Sequence, residues 1–222
     1  MAAFESIGAN CEFGFVKDWL GHKSGSFFKW TFIWHSRDVA RIINNDFSGA
    51  YEFNNIVPSE PHMVRDSVYN IGWHSKMISA PENTTDESAP SELKFVASEA
   101  ERREIWEIEY EKVQFFIKRF RNSLASGSRI FVYKPVNQIM SDEDVASLLS
   151  AVRKNSPNLL LIVKEASEED APGTVKELGG GLMTGFVDRF SPLERAYEIS
   201  SECWLKVLRS AFEKSGMQST VN

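Results

Sequence analysis

Two cysteines and four histidines are the side chains of this sequence best suited to nucleophilic chemistry. Cys11 follows a short β-like run and a glycine-containing turn, and it stands at the predicted start of a helix. Unpaired N–H groups and the positive end of the dipole stabilise an anion at a helix N-terminus. We therefore predict a lowered pKa for the Cys11 thiol and a role as nucleophile. The alternative is a small buried apolar residue, which is the usual role of a free cysteine.

A cysteine nucleophile needs a general base, and His74 is the preferred candidate. His74 lies at the end of a β-like run and beside a loop, where a base can face a site at the ends of strands. His62 is the second choice. His22 follows a helix stop and His35 ends an aromatic run, so both are interpreted as surface or capping residues.

Short elements are predicted for the first third of the chain, which carries these residues. In order, they are a strand at 4–7, a helix at 11–20, an aromatic run at 27–34, a helix at 38–43 and β-like runs at 63–64 and 67–73. The aromatic run is either a strand or a buried loop. A polar, acidic, proline-flanked loop is predicted at 79–91.

The remainder of the chain is more regular. Ser98 and Glu101 form a capping box that begins a helix reaching about Leu124. Apolar strands at 130–133, 159–163 and 185–187 then alternate with helices that begin at Ser141 and Ser201. This alternation predicts an α/β fold of three layers, with a mostly parallel central sheet and helices on both faces. We expect one domain over residues 1–222, in which the acidic loop joins the site-bearing first third to the remainder.

Composition excludes several classes of function. Hydrophobic residues make up 42% and charged residues 25%, as in packed globular proteins. The net charge of −6 argues against a general nucleic-acid binder. No apolar run reaches the roughly 18–20 residues of a membrane helix, and the first residues do not resemble a signal peptide. The expectation is a cytoplasmic protein that has reduced thiols, does not insert into membranes and uses no metal or other cofactor.

Several segments resemble a bacterial family of unknown function that is grouped with the papain-like cysteine peptidases. Phe4–Gly14 is similar to its opening motif, a short strand followed by a turn of the Ser-Leu-Gly-x-Asn-Cys type. The other similar segments are Phe27–Trp30, Trp73–His74, Arg129–Tyr133 and Gly185–Phe190. The resemblance therefore spans most of the chain.

The resemblance implies a Cys11/His74 pair, with the cysteine first in the chain. For the residue that orients His74 we choose Asp188, because it ends a predicted strand, and Asp66 is the alternative. Backbone N–H groups near Glu12 and Phe13 would form the oxyanion hole. The substrate-binding candidates are Gly8, Asn10, Glu12, Trp73 and Arg189.

Three functional hypotheses remain open. The first is a cysteine-dependent hydrolase or acyltransferase, a papain-like peptidase by resemblance. The second is a non-thiol carbohydrate or nucleotide-sugar protein linked to surface polysaccharide, in which the turn Gly8–Asn10, Trp73–His74 and Asp188–Arg189 would bind an anionic or sugar ligand. The third is a binding module without catalysis. The ligand would be a small molecule, a glycan or a peptide.

Overall fold

The computed structural model describes residues 2–81, 92–136 and 140–218 of the chain. The described helices are α1 (Glu12–Trp19), α2 (Ser36–Asn44), α3 (Glu99–Ala125), α4 (Asp142–Arg153) and α5 (Ser201–Lys214). The described strands are β1 (Phe4–Ser6), β2 (Thr31–Ile33), β3 (Ile56–Glu60), β4 (Met63–Asp66), β5 (Ile71–His74), β6 (Ser79–Pro81), β7 (Leu93–Phe95), β8 (Ile130–Tyr133), β9 (Leu159–Glu165), β10 (Val175–Gly179) and β11 (Leu182–Val187). Single 3-10 turns occupy Phe53–Asn55 and Leu193–Arg195.

A five-stranded sheet has the order β1-β8-β9-β11-β10. Its first four strands are parallel, whereas β10 runs antiparallel to β11. The predicted α/β class with parallel strands is thus confirmed. Strand β10 was missed in the sequence because its residues after Val175 are all exposed and include the charged Lys176 and Glu177, so the strand has no buried apolar run. The hairpin that joins β10 to β11 contains Gly179, Gly180 and Gly181, all with positive φ, which is why three glycines occur there.

A second, four-stranded sheet corrects the expectation of one central sheet. Its order is β2-β5-β4-β3, and every pairing in it is antiparallel. Strands β6 and β7 form a third, two-stranded sheet. The connections β3–β4 and β4–β5 are too short for the crossover that a parallel pair requires, so these strands pair as hairpins. Of the predicted loop at 79–91, residues 79–81 are strand β6, and residues 82–91 lie outside the described residues.

The core is divided between two clusters that use alternate residues of β8 and β9. Phe131 and Leu160 belong to a cluster that includes side chains of α2, α3, α4 and the four-stranded sheet. Val132 and Leu161 belong to a cluster that includes side chains of α1 and α5. Because successive side chains of a strand point to opposite faces, the two faces of this sheet bury their residues in different clusters.

Helix α1 begins directly after the turn that follows β1. Cys11 is its N-cap residue, so the helix is slightly shorter than the predicted 11–20. Gly14 lies in the middle of this helix because a Cβ there would come 2.7 Å from the carbonyl oxygen of Lys29. This close approach packs the aromatic segment against the helix, and only Thr31–Ile33 of that segment is a strand. The same contact brings the segment next to Cys11.

The predicted helix starts in the second half are confirmed. Ser98 Oγ accepts a hydrogen bond from the Glu101 N–H, and Glu101 Oε2 accepts one from the Ser98 N–H at 2.8 Å, which is a capping box. Ser141 Oγ accepts a hydrogen bond from the Asp144 N–H at 3.1 Å and caps α4.

Within the described ranges, no helix combines the length and the apolar character needed to cross a membrane.

Candidate functional site

A cavity of about 880 Å³ lies where the turn after β1, the four-stranded sheet and helix α3 meet. Asn10, Cys11, Trp73 and His74 all line it. Among the described residues, eight aromatic side chains contribute to its wall: Phe15, Phe27, Trp30, Phe32, Tyr51, Trp73, Phe116 and Tyr197. The structure therefore brings four of the predicted site residues to one place, in a largely aromatic setting.

Cys11 is partly exposed at this cavity, and its backbone carbonyl accepts a hydrogen bond from Phe15 N–H at 3.0 Å. Burial raises the pKa of the Cys11 thiol to about 11, so the predicted lowering of this pKa is wrong. A helix dipole supplies about 0.3–1 kcal/mol to a charge at its end. One pKa unit corresponds to about 1.4 kcal/mol. The dipole of an eight-residue helix therefore does not offset the loss of hydration around a thiolate.

His74 is the last residue of β5, and its side chain is exposed at the cavity. Its register partner is Met63 on β4, which lines the same cavity. Of the four histidines, only His74 is found in the cavity wall formed by the described residues. His62, the alternative base, is not among the described residues that line the cavity. Its backbone carbonyl accepts a hydrogen bond from Ser75 N–H at 3.0 Å.

Asn10 lines the cavity and carries a buried amide donor that has no partner among the described residues. Its Oδ1 accepts a hydrogen bond from Glu12 N–H at 3.2 Å, which fixes the orientation of the amide. The side chain is only 4% exposed, and its Nδ2 has no partner among the described residues. A buried donor without a partner costs about 1–3 kcal/mol. Because Glu12 N–H is already bonded to Asn10, it does not form the predicted oxyanion hole.

Gly8 and Trp73 have different roles in the wall. Gly8 has a φ of +100°, and a Cβ there would lie 3.1 Å from Ile33 Cδ1, so this residue shapes the turn and does not line the cavity. Trp73 lines the cavity and is packed edge-on against Phe27 and Tyr51, with ring centroids 5.7 and 5.0 Å apart. The rigid indole is the better candidate for contact with a ligand.

Glu12 points away from the cavity into the protein. Its side chain is fully buried and forms an ion pair with the buried Lys134, with Oε2 and Nζ 3.1 Å apart. The carboxylate also accepts hydrogen bonds from Ser191 N–H at 3.1 Å and Trp204 Nε1–H at 3.0 Å. The prediction that Glu12 binds substrate is therefore wrong, because all these partners belong to the fold. Lys134 is likewise not the solvated lysine that its position after a strand suggests.

Asp188 and Arg189 lie outside the cavity wall. Desolvation raises the pKa of Asp188, but hydrogen bonds from Ser200 and from Arg189 N–H outweigh it and hold the pKa below its ordinary value. Asp188 N–H donates to Cys203 Sγ at 3.3 Å, and Arg189 Nη1 donates to the Glu198 carbonyl at 3.1 Å. Both residues therefore stabilise the start of α5, and the assignments of Asp188 to His74 and of Arg189 to substrate are corrected.

The alternative orienting residue, Asp66, is also structural. It is fully buried, and its carboxylate accepts hydrogen bonds from the N–H groups of Tyr51, Val68 and Tyr69 at 2.8–3.1 Å. These bonds stabilise the turn between β4 and β5. Asp66 thus positions the strand that ends in His74, without contacting the cavity.

Glu109 on α3 is a cavity residue that the sequence did not indicate. Its Oε2 accepts hydrogen bonds from Tyr51 Oη at 2.7 Å and Ser75 Oγ at 2.8 Å, and its Oε1 accepts one from Lys76 N–H at 3.0 Å. The carboxylate thus holds the two residues that follow His74. The only signal was its place one turn before Val113 on the inward face of α3, which is normally a sign of a core position.

No family model matches this chain, and neither a curated protein nor a solved structure is a match for it. The family resemblance is therefore supported only by the residues of its motifs, and the site has to be interpreted from its own geometry.

Proposed function

We propose that this protein is a cysteine-dependent hydrolase or acyltransferase in which Cys11 is the nucleophile and His74 the general base. The observation that supports this proposal is the cavity wall, where a cysteine, a histidine and an unpaired amide donor occur together. Papain-like peptidase activity, as the motif resemblance implies, is one form of this chemistry. A reducing, cytoplasmic setting suits it, because both cysteines are free.

The proposed reaction has two steps. In the first, His74 removes the thiol proton while Cys11 Sγ bonds to the acyl carbon of the substrate, and the leaving group departs with that proton. In the second, water or another acceptor attacks the thioester, the Cys11–acyl bond breaks, and the thiol recovers its proton through His74. The raised pKa of Cys11 fits a neutral thiol that is deprotonated only during attack.

Asn10 would supply the oxyanion-stabilising group. Its Nδ2 is the donor without a partner in the residue before the nucleophile. A donor that has no partner in the free protein is preorganised for a charge that develops only in the transition state.

The alternation of clusters across β8 and β9 also supports the three-layer arrangement, which we propose as the support of this turn.

Acyl transfer to the protein itself tests the proposal. With p-nitrophenyl acetate, mass spectrometry of digested protein should find an acetyl group on the peptide that contains Cys11, and Cys11→Ala should lack it. His74→Ala should slow acetylation about 100-fold, which is the lower end of general-base effects. His62→Ala is the matched control and should react as the wild type does. Equal, slow reaction of Cys11 and Cys203 would reject the proposal.

A second function, the binding of a sugar or nucleotide-sugar, is favoured by the aromatic wall. Trp30, Phe32 and Trp73 are lining side chains of the kind that stack on sugar rings. If the protein binds nucleotide sugars without using the thiol, Cys11→Ser should retain full activity. Nucleotide sugars should then raise the melting temperature of the wild type and of Cys11→Ser equally. No shift with any of these ligands, together with acetylation of Cys11, would reject this second function.

A further inference from the structure

The ionisable residues of the cavity wall are unevenly distributed along α3. Glu109 contacts Tyr51, Ser75 and Lys76 at the end of the cavity that contains His74. Phe116, two turns later, lies against Gly25, where a Cβ would come 2.4 Å from Phe116 Cε1. The segment 23–26 therefore adjoins the far end of the α3 wall.

Two lysines without ion-pair partners line this far end. Lys112 lies on the same face of α3, one turn before Phe116, and Lys23 lies in the segment that contacts Phe116. Both side chains are exposed, and within the described part of the chain neither has a carboxylate within ion-pair distance. Two cations without an ion-pair partner among the described residues are available to an anionic group of a ligand in this cavity.

Ser26 adds a buried donor to the same end. Its side chain is 6% exposed and lines the cavity, and its hydroxyl has no hydrogen-bond partner among the described residues. It belongs to the same segment as Lys23 and directly follows Gly25. A hydroxyl without a partner is a donor that the carboxylate or phosphate of a ligand can use, in addition to the charges of the two lysines.

We propose that Lys23, Ser26 and Lys112 form an anion subsite, and that the substrate is an acyl compound with an apolar body and an anionic group. The apolar body would pack on the aromatic wall, and the anionic group would lie at the end of the cavity lined by Phe116. This inference rests on the proposed function, because it takes Cys11 as the reacting end. The wall contains two carboxylates: Glu109 is bonded to Tyr51, Ser75 and Lys76, and Glu194 belongs to the turn Leu193–Arg195.

A matched pair of electrophiles tests the subsite. N-chloroacetyl-phenylalanine carries a carboxylate, and its amide is neutral but has nearly the same shape. The carboxylate probe should alkylate Cys11 about fivefold faster than the amide, a modest ratio because ion pairs at exposed lysines are weak. This ratio should fall as salt is added, because salt screens exposed charges.

The double variant Lys23→Gln/Lys112→Gln should bring the ratio close to one by slowing the reaction of the carboxylate probe. Ser26→Ala should lower the ratio without changing the net charge. The control Lys76→Gln/Lys118→Gln makes the same change in net charge at lysines outside the cavity wall, and it should retain the wild-type ratio. A ratio of one in the wild type, or equal loss in both double variants, would overturn the subsite.

Binding without reaction separates the two proposals. In Cys11→Ser, calorimetry with N-benzoyl-phenylalanine and its amide should show the same preference for the carboxylate, abolished by Lys23→Gln/Lys112→Gln. If the preference persists while p-nitrophenyl acetate never acetylates Cys11, the proposed function fails and the subsite stands. If Cys11 is acetylated but neither assay shows a preference, the subsite alone is rejected.

Discussion

Asn10, Cys11 and Glu12 are consecutive residues whose side chains enter two different environments. Asn10 and Cys11 line the cavity, whereas Glu12 is fully buried among Lys134, Ser191 and Trp204. The Glu12 N–H bond to Asn10 Oδ1 joins the two environments. The buried glutamate thus fixes the backbone at the start of α1, and this backbone presents the thiol and the amide to the cavity.

The raised pKa of Cys11 gives a prediction at the scale of the residue. Only the thiolate is alkylated, so the rate of Cys11 with iodoacetamide should rise about tenfold per pH unit between pH 8 and pH 10. It should level off only near pH 11, where burial has raised the pKa. Burial also raises the pKa of Cys203, and the rate at Cys203 should remain lower than that at Cys11, because the Cys203 side chain is only 8% exposed. Time-resolved mass spectrometry measures both rates.

A plateau of the Cys11 rate near neutral pH would contradict this prediction and indicate a preformed thiolate–imidazolium pair.

The same burial has a consequence for stability, with a definite sign. The pKa of Cys11 in the folded protein lies above the value of 9.0 for an unburied thiol. The contribution of Cys11 to the free energy of unfolding is therefore fully present below about pH 9. It is lost as the pH rises to about 11.

Helix α3 positions the end of β5 through one carboxylate. Glu109 bonds to the side chain of Ser75 and the backbone of Lys76, the residues directly after His74. It also accepts a hydrogen bond from Tyr51, and burial and this carboxylate raise the pKa of the tyrosine. If His74 is the general base that we propose, Glu109 is a positioning residue for it, since the Glu109 bonds restrain the chain on which His74 lies.

Glu109→Ala should lower the rate of Cys11 acetylation and the free energy of unfolding together. Three hydrogen bonds to a charged acceptor are lost, so we expect a loss of about 2–4 kcal/mol in urea denaturation. Glu109→Gln retains a carbonyl acceptor and should recover part of the rate. Glu107→Ala, at an exposed position of the same helix, should change neither quantity. A normal acetylation rate in Glu109→Ala would show that Glu109 has no positioning role.

At the scale of the whole molecule, the Glu12 carboxylate joins α1 to three other parts of the chain. The carboxylate on α1 contacts Lys134 after β8, Ser191 after β11 and Trp204 on α5. Lys134 Nζ additionally lies 4.4 Å from the centre of the Phe190 ring. The start of α1, which carries Cys11, therefore depends on contacts with residues that follow the parallel strands β8 and β11.

Lys134→Met should destabilise the protein by about 3–5 kcal/mol, because it leaves the Glu12 charge buried without a counter-ion. The double variant Glu12→Gln/Lys134→Met removes both charges and should recover a substantial part of this loss. Lys164→Met, at an exposed lysine on β9, is the control and should be close to neutral. Urea denaturation measures all three. A loss below about 1 kcal/mol in Lys134→Met would mean that the ion pair contributes little.

The sequence by itself determined many of the local elements and selected two candidate residues for the proposed reaction. The capping box at Ser98, the strand Ile130–Tyr133 and the turn before Cys11 depend on neighbouring residues, and local patterns therefore predict them. Cys11 and His74 were both selected from their positions at the ends of strands, and the structure places both in one cavity wall.

Only the tertiary structure decided how these residues are surrounded. Burial raises the pKa of Cys11, whereas the sequence predicted that this pKa is lowered. Glu12 and Asp188 contact residues far away in the chain and do not line the cavity. The second sheet and Glu109 were not predicted, because pairing partners and burial depend on residues far apart in the chain. A sequence pattern records which residue types are available, whereas desolvation and charge pairing are set by what the fold packs around them.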